Sequence, residues 1–245
     1  MQAKRNNLTV VKLPPPQLKG KISLEETIAS RRSVRRYRPD PLTLSQLSQI
    51  LWSAQGITGA EGLRAAPSAG ATYPLEVFAL VGKEAIIVTT SQSPEQMPQA
   101  KASSELKGQR RDSKEVAKQS LGMEKLPAGI YHYEADSHSL ILHRQGDFRL
   151  DLARASLDQG FIAEAPIDIV ICAIYPRTSY TYGRRGERYV HMEVGHVGEN
   201  IHLQALALGL ATVEVGAFDD KEVENLLGLE EQIKPLYIMP IGKPL

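Results

Sequence analysis

The chain has 245 residues, of which 42% are hydrophobic, and its 29 basic and 28 acidic residues leave a net charge of +1. This composition is typical of a soluble globular protein, and the near balance of charge argues against a dedicated nucleic-acid-binding protein, which needs a basic excess to contact phosphates. Cys172 is the single cysteine, which excludes an intrachain disulfide and a cysteine-rich metal site.

Residues 1–20 are predicted to form an extended arm, because Pro14-Pro15-Pro16 favours polyproline geometry. The arm has no apolar core before these prolines, so it does not resemble a signal peptide. No later stretch approaches the length of a membrane span. We therefore expect a cytoplasmic protein with no membrane partner.

Two capping boxes predict helices after the arm. Ser23-Leu24-Glu25-Glu26 begins a short helix, and Thr43-Leu44-Ser45-Gln46 begins a longer one that ends near Gly56. The second helix carries an apolar face, which consists of Leu44, Leu47, Ile50 and Leu51.

Strands and helices alternate irregularly over the rest of the chain. Strand patterns occur at Leu75–Val81, at the hairpin Ile130–Glu134 with Ser139–His143, at the buried run Ile167–Tyr175, and at Leu236–Ile241. Helix patterns begin near Asp147, run from about Glu187 to Leu208, and extend from a cap at Asp219 to Gly228. This order lacks a βαβ rhythm. It predicts an α+β fold with a mixed or antiparallel central sheet flanked by helices.

Residues 21–245 are predicted to form a single domain that carries a polar insertion at about 84–125. The insertion is rich in Ser, Gln, Lys and Glu and contributes little to a core. Two hypotheses remain open for it: a solvated excursion of the chain, or a lid over a site.

Arg31–Arg38 places five arginines in eight residues after the first short helix. The guanidinium group is a planar fork of donors that suits phosphate and other delocalised anions. A solvated basic surface and a nucleic-acid-binding arm are the alternatives. The interleaved Ser33 and the capped helix favour a fixed anion site.

Two segments of small residues are candidates for close approach to a flat ligand. Ala66–Pro74 is bounded by prolines and precedes a strand, and Val215–Asp219 lies between a strand and a helix. Small side chains let the main chain reach a ligand directly.

Taken in order, these motifs resemble the nitroreductase family, and more narrowly its SagB-type dehydrogenase branch, which includes azoline oxidases. The resemblance covers nearly the whole chain from Ser23, apart from the insertion. The segments that carry it are Arg31–Arg35, Pro67–Pro74, Gly129–Tyr133, Tyr182–Gly186, Glu193–Asn200, Ala205–Leu210 and Gly216–Asp220.

The resemblance implies an intertwined homodimer with FMN at the subunit interface. It implies that Arg31, Arg32 and Ser33 hold the phosphate and ribityl end and that Arg35 lies near the N1–O2 edge of the flavin. The partner would supply Pro67, Ser68 and Ala69. The amides of Gly216 and Ala217 would face flavin N5, and Lys243 would add a phosphate contact.

Three positions depart from the family pattern. Ala71 and Tyr73 stand where many nitroreductases have Asn and Gln, and Thr181 stands where azoline oxidases have the lysine of a Lys-Tyr pair. Tyr182 keeps the tyrosine of that pair and remains a candidate proton donor.

We predict an FMN-dependent oxidoreductase that transfers hydride through flavin N5, with NAD(P)H as electron donor and a small organic acceptor. Arg35 and Tyr182 are the candidate catalytic residues. One alternative is a SagB-type dehydrogenase that oxidises an azoline, a peptide or a small heterocycle. Another is a non-catalytic flavin-binding subunit.

Other chemistries are not expected. Glu193-x-x-His196 and Glu199-x-x-His202 have the spacing of di-iron ligands, but six residues on one helix turn them apart by about 600°, so no metal site is predicted. The chain has no Gly-x-Ser-x-Gly motif for a hydrolase and no glycine-rich dinucleotide fingerprint.

Overall fold

A computed structural model describes residues 9–88 and 124–245. These residues form seven α-helices: α1 Leu24–Ser30, α2 Leu44–Gln55, α3 Arg149–Ala155, α4 Phe161–Glu164, α5 Tyr175–Tyr182, α6 Arg185–Ala207 and α7 Asp220–Leu227. They form ten strands: β1 Val10–Lys12, β2 Leu42–Thr43, β3 Leu75–Val81, β4 Ile86–Val88, β5 Glu124–Lys125, β6 Gly129–Glu134, β7 Ser139–Gln145, β8 Ile167–Ile174, β9 Ala211–Thr212 and β10 Ile233–Gly242.

A seven-stranded sheet is the frame of the molecule. Its strand order is β1-β7-β6-β3-β8-β10-β9, and every neighbouring pair is antiparallel. β8 lies in the interior of the sheet and is buried along its whole length, which explains its unbroken apolar sequence. The predicted α+β class and antiparallel sheet are confirmed.

Helices cover both faces of this sheet, and each face has its own core. On one face, α2 and α6 pack on Ile167, Ile169 and Ile171 of β8. On the other, α3, α4 and α7 pack on Val170 and Cys172. Cys172 is therefore a buried strand residue, as its sequence context predicts.

The ends of the predicted insertion are ordered strands. β4 pairs with β5 and with β2 to form a second, three-stranded sheet. Residues 89–123, the interior of the insertion, lie outside the described residues. At the other end of the chain, β1 lies within the predicted arm and pairs with β7.

The boundary predicted around Tyr175 is wrong. β8 ends at Ile174, and Tyr175 begins α5, a helix that the sequence analysis missed. Pro176 lies in the first turn of α5, where its missing N–H costs nothing. Gly183, at φ 56°, ends α5 and lets the chain turn into α6.

None of the described helices combines the length and the apolar character needed to cross a bilayer.

Candidate functional site

The segment Arg31–Arg38 follows α1 and is anchored by inward-facing groups. The Val34 N–H donates to the Thr212 carbonyl oxygen (3.0 Å), and the buried Tyr37 hydroxyl donates to the Pro240 carbonyl oxygen (3.2 Å). These anchors tie the segment to the β9–β10 edge of the sheet. The side chains between them remain available at the surface.

The polar side chains of this segment fall into two groups. Ser33 and Arg35 are exposed and Arg31 is half-buried, and alternate positions of an extended chain point to one side. The Arg35 guanidinium lies 5.9 Å from the centre of the Phe161 ring. Arg32 instead folds back, and its Nη1 donates to the Arg31 carbonyl oxygen (2.6 Å). The side of the segment that carries Arg31, Ser33 and Arg35 thus presents two guanidinium groups and a hydroxyl, and Arg32 is turned away from it.

The turn after β9 presents main-chain donors. Val215 and Ile238 exchange two backbone hydrogen bonds of 2.9 and 3.0 Å, which fix the turn beside β10. Gln159 Nε2 donates to the Ala217 carbonyl oxygen (2.8 Å). Gly216 and Ala217 are exposed, and their N–H groups donate to no other described residue.

Lys243, at the end of β10, lies beside the arginine segment. Its carbonyl oxygen accepts from the Arg38 N–H (2.9 Å), and its Nζ lies 3.7 Å from Asp40. The arginine segment and the end of β10 pack closely. A Cβ at Gly242 would lie only 3.1 Å from the Tyr37 ring.

These elements converge at one edge of the sheet. Arg35 packs on Phe161 and Ala217 is bonded to Gln159, so both contact the start of α4. We call this group the first half-site; it consists of Arg31, Ser33, Arg35, Gly216, Ala217 and Lys243.

The loop Pro67–Tyr73 contains three residues with positive φ: Gly70 (59°), Ala71 (52°) and Tyr73 (43°). Each non-glycine residue in this region costs of order 1–3 kcal/mol, and such strain concentrates at ligand sites. The Ser68 hydroxyl closes the loop by accepting from the Tyr73 N–H (3.0 Å).

Tyr73 is the best-connected residue of this loop. Its hydroxyl accepts from the Arg64 N–H (3.3 Å), and the Arg64 guanidinium lies 4.7 Å from the centre of its ring. Its carbonyl oxygen accepts from Arg177 Nη1 (3.1 Å), and Arg177 also pairs with Glu76 at 2.6 Å. The tyrosine that departs from the family pattern therefore holds the loop in its strained conformation.

Tyr182, at the end of α5, lies against the same loop. A Cβ built at Gly70 would lie 2.7 Å from the Tyr182 hydroxyl, so a side chain there would displace Tyr182, and the φ of 59° also favours glycine. A hydrogen bond of 2.8 Å between the hydroxyls of Thr72 and Thr178 joins the loop to α5. Tyr182 is 36% exposed and packs edge-on against Tyr189.

Beneath this loop lies a buried polar pair that the sequence analysis missed. Glu193 of α6 and Gln55 of α2 are 3% and 1% exposed. Glu193 Oε1 and Gln55 Nε2 have no hydrogen-bond partner among the described residues. Burial raises the pKa of Glu193, although the neighbouring Ser68 and Gln55 side chains partly offset this. We call Pro67, Ser68, Ala69, Tyr73, Tyr182 and Glu193 the second half-site.

The two half-sites lie apart within one chain. The second includes Glu193 of α6, a helix that contacts the loop, whereas His202 of α6 contacts the Arg32 carbonyl oxygen beside the first. Nine helical positions separate the two contacts, which is roughly 13 Å along the helix axis. The predicted residues are therefore brought together in two groups rather than in one.

The two carboxylate–histidine motifs of α6 differ in burial and in their contacts. Glu193 is buried while His196 is exposed. His202 is fully buried; its Nδ1 lies 2.7 Å from Glu214 and its Nε2 lies 3.3 Å from the Arg32 carbonyl oxygen. Glu199 completes a group whose ligand-type atoms lie within 4.8 Å of one another. Both ring nitrogens of His202 already have oxygen acceptors as partners. His202 therefore connects α6 to the arginine segment.

A cavity of about 820 Å³ lies beside the second half-site. Arg64 and Tyr73 line one end, and an ionic chain of Arg177, Glu76 and His132 lines another part. Burial opposes ionisation of Glu76, but the His132 and Arg177 partners outweigh it and lower the pKa of Glu76.

Comparison with known proteins gives consistent results. The model of the Nitroreductase family matches residues 28–243. The Methanocaldococcus jannaschii protein named "Putative nitroreductase MJ1384" is 41% identical over 222 residues, which are 91% of each chain.

Two solved structures share the fold. A nitroreductase-named structure from Ralstonia eutropha has a TM-score of 0.71 at 25% identity, covering 96% of this chain and 90% of its own. The NADPH:FMN oxidoreductase from Vibrio harveyi, complexed with NAD+, has a TM-score of 0.54 at 18% identity, covering 90% and 68%. The chain belongs to the nitroreductase family of flavin-dependent oxidoreductases.

Proposed function

We propose that this protein is a homodimeric oxidoreductase that binds FMN between its subunits, with NAD(P)H as electron donor and a small organic molecule as acceptor. Each flavin would contact the first half-site of one subunit and the second half-site of its partner. The observation that carries the proposal is the division of the predicted flavin contacts into two groups on one chain.

The first half-site fits the polar parts of FMN. Arg31 and Ser33 offer a guanidinium fork and a hydroxyl to the phosphate and ribityl end, and Lys243 adds a cation. Arg32 contributes less, because its guanidinium is turned to the Arg31 carbonyl oxygen. Arg35 is exposed and packed on Phe161, which suits a cation placed over the edge of a flat ring system.

The second half-site fits the flat face of the ligand. Pro67 is exposed and Ala69 half-buried, so small side chains would lie against the ring without obstructing it. The strained backbone of this loop is held from below by Tyr73 and Arg64. A rigid loop of this kind loses little conformational entropy when a ligand binds.

Exposed apolar side chains support a dimer. Leu24 and Ile28, one turn apart on α1, are 59% and 56% exposed, and Met192 of α6 is 53% exposed. α1 packs on α6, so both helices contribute to one side of the molecule. A Cβ at Gly195 of α6 would meet nothing within 4 Å, which leaves room for a partner's backbone.

Bound FMN would supply the redox chemistry, accepting and donating hydride at N5. The Gly216 and Ala217 N–H groups, which are exposed and free among the described residues, would orient that part of the ring. Arg35 would stabilise negative charge at the N1–O2 edge. Tyr182, in the second half-site that the partner contributes, would hold a proton for the electron acceptor.

The proposal is tested with one visible spectrum before and after anaerobic addition of NADPH. Purified or FMN-reconstituted protein should be yellow and should bleach promptly with NADPH or NADH. Colourless protein that takes up no FMN would overturn the proposal. Bound FMN that no nicotinamide or substrate reduces would favour the non-catalytic subunit instead.

The position of Tyr182 also favours a second candidate, a SagB-type dehydrogenase of a peptide or small heterocycle. Its hydroxyl lies against the Gly70 loop, as a proton-transferring group of that reaction would require. Thr181 replaces the expected lysine and weakens this candidate. Anaerobic bleaching by an azoline-containing peptide, without bleaching by either nicotinamide, would select it.

A further inference from the structure

We propose that His202 is a positioning residue of the flavin site, which holds the Arg32 carbonyl oxygen inward and so turns Arg31 and Ser33 toward the phosphate of FMN. His202 is fully buried and would not touch the cofactor itself. This inference rests on the proposed FMN site. It goes further because it assigns the phosphate-binding conformation to one side chain on a distant helix.

The two ring nitrogens of His202 face oxygen atoms on two different segments of the chain. Nε2 lies 3.3 Å from the Arg32 carbonyl oxygen, and Nδ1 lies 2.7 Å from Glu214 Oε1. Carbonyl and carboxylate oxygens only accept hydrogen bonds, so both nitrogens act as donors here. Burial opposes ionisation of Glu214, but its contact with His202 outweighs this and lowers the pKa of Glu214, as suits an ionised acceptor.

The contact with Arg32 fixes the peptide group between Arg32 and Ser33. On either side of it, the Arg31 N–H donates to the Thr27 carbonyl oxygen (2.9 Å) and the Val34 N–H donates to the Thr212 carbonyl oxygen (3.0 Å). In a planar trans peptide the C=O and the following N–H point in opposite directions. Because His202 holds the Arg32 carbonyl oxygen in the interior, the Ser33 N–H points outward, and it donates to no other described residue. This N–H joins the Ser33 hydroxyl and the Arg31 guanidinium as a donor for a phosphate.

The contact with Glu214 connects the same histidine to the other part of the first half-site. Glu214 lies two residues before Gly216, at the start of the turn whose N–H groups are proposed to face flavin N5. The phosphate and N5 belong to opposite ends of one FMN molecule. A single buried side chain therefore holds the phosphate-binding segment and the N5-binding turn at a fixed separation.

The test compares FMN dissociation constants for two amide replacements of His202. His202→Gln places its amide nitrogen near the position of Nε2, keeps a donor for the Arg32 carbonyl oxygen, and should bind FMN within about threefold of the wild type. His202→Asn places its nitrogen near the position of Nδ1 and keeps only the contact with Glu214. It should weaken FMN binding about tenfold, as expected for one lost buried hydrogen bond. His196→Asn, the same replacement at an exposed position of α6, serves as the matched control.

Riboflavin, which has the same ring system but no phosphate, separates positioning from a general structural role. If His202 acts through the phosphate-binding segment, His202→Asn should change the riboflavin dissociation constant less than about twofold while it weakens FMN binding about tenfold. A purely structural role would lower the melting temperature of the flavin-free protein and weaken the binding of both flavins alike. Equal losses for the two flavins overturn the proposal. If the wild type binds riboflavin too weakly to measure, the difference between His202→Gln and His202→Asn decides alone.

The other outcomes also decide. His202→Asn with unchanged FMN binding, or His202→Gln as weak as His202→Asn, would overturn the inference while leaving the proposed function intact. Wild-type protein that binds no FMN would overturn the proposed function itself. If neither His202 variant folds, Glu214→Gln and Glu214→Leu complete the comparison. The first keeps an acceptor that orients the imidazole and should bind FMN more tightly than the second, and equal binding by the two would overturn the inference.

Discussion

The two half-sites of this chain are built in opposite ways. The first is cationic and is held mainly by main-chain hydrogen bonds, such as Val34 to Thr212 and Arg38 to Lys243, which leave its arginines exposed. The second is centred on the loop Pro67–Tyr73, which has positive φ at three positions and is held by side chains, chiefly those of Tyr73 and Arg177.

Under the proposed function, this difference would suit the two half-sites to two unlike parts of one ligand. A charged phosphate needs donors that reach outward, and a regular sheet edge can supply them without strain. A flat ring needs a surface without large side chains, so the backbone itself must approach the ring. The strained backbone conformation that this requires is stabilised by side chains on the other side of the loop. Each half-site alone would bind a nucleotide weakly.

Mixed dimers provide the strongest test of the comparison. We expect Arg31→Ala/Arg35→Ala and Ala69→Arg to abolish FMN binding as homodimers. In a heterodimer of these two variants, one interface site carries all three substitutions and the other carries none. The heterodimer should therefore bind about one FMN. Differently tagged subunits and flavin absorbance would measure this. If the heterodimer binds none, the two half-sites do not meet across the interface.

Within the first half-site, the side to which an arginine points should affect FMN binding more than its charge alone. Arg35→Ala should weaken FMN binding about 10- to 100-fold, because it removes a charge-assisted contact. Arg36→Ala removes the same charge from the neighbouring exposed position and should change the dissociation constant less than about threefold. Equal losses in both variants would indicate a general electrostatic surface instead.

Near the second half-site, two glycines allow the effect of backbone strain to be separated from the effect of contact with Tyr182. Gly62 and Gly70 both have positive φ (75° and 59°), but a Cβ at Gly62 meets nothing within 4 Å, whereas at Gly70 it meets Tyr182. Both alanine variants should lose about 1–2 kcal/mol of unfolding free energy. Only Gly70→Ala should also weaken FMN binding, by several-fold. A similar weakening in Gly62→Ala would contradict the assigned contact.

A buried acid near the first half-site is expected to affect stability rather than FMN binding. Asp168 of β8 is fully buried, and neither carboxylate oxygen has a partner among the described residues. Burial raises its pKa well above the usual value, although Arg149 opposes this. Above about pH 4 the unfolded chain releases this proton while the folded chain keeps it, so stability falls as pH rises toward the raised pKa.

Asp168→Asn removes this dependence. Its stability relative to the wild type should increase with pH above about 4, with a slope of at most about 1.4 kcal/mol per pH unit. Urea unfolding at several pH values measures the difference. Parallel curves for the two proteins would show that Asp168 is charged in the fold. Asp168 is paired in the sheet with Pro240, whose carbonyl oxygen accepts from the Tyr37 hydroxyl of the arginine segment, so FMN binding is a useful second measurement.

Local sequence was sufficient for most of the secondary structure. The capping boxes at Ser23 and Thr43 are present as expected, with both hydrogen bonds of each box formed. The buried run at Ile167 is the interior strand of the sheet. α5 was missed because its eight residues carry no apolar face, and its stability comes from packing on α6 through Gly186 and Ser179.

The residues of the candidate site were likewise only partly predictable from the sequence. Residue type and order indicated the arginine segment, the small-residue loop and the Gly216 turn, because phosphate and flat-ring binding restrict which side chains can serve. The buried partners of these motifs, Glu193 and His202, gave no such signal. His202 lies far along the chain from the Arg32 carbonyl oxygen that it contacts, and spacing along one helix suggested only a metal motif.

The sequence by itself determined the helix caps, the strand periodicity and the chemical character of each ligand-facing segment, because these depend on neighbouring residues alone. Only the tertiary structure decided that the motifs form two half-sites about nine helical positions apart and that Tyr73 supports a strained loop. Those outcomes depend on contacts between residues distant in sequence, whose energies no local pattern records.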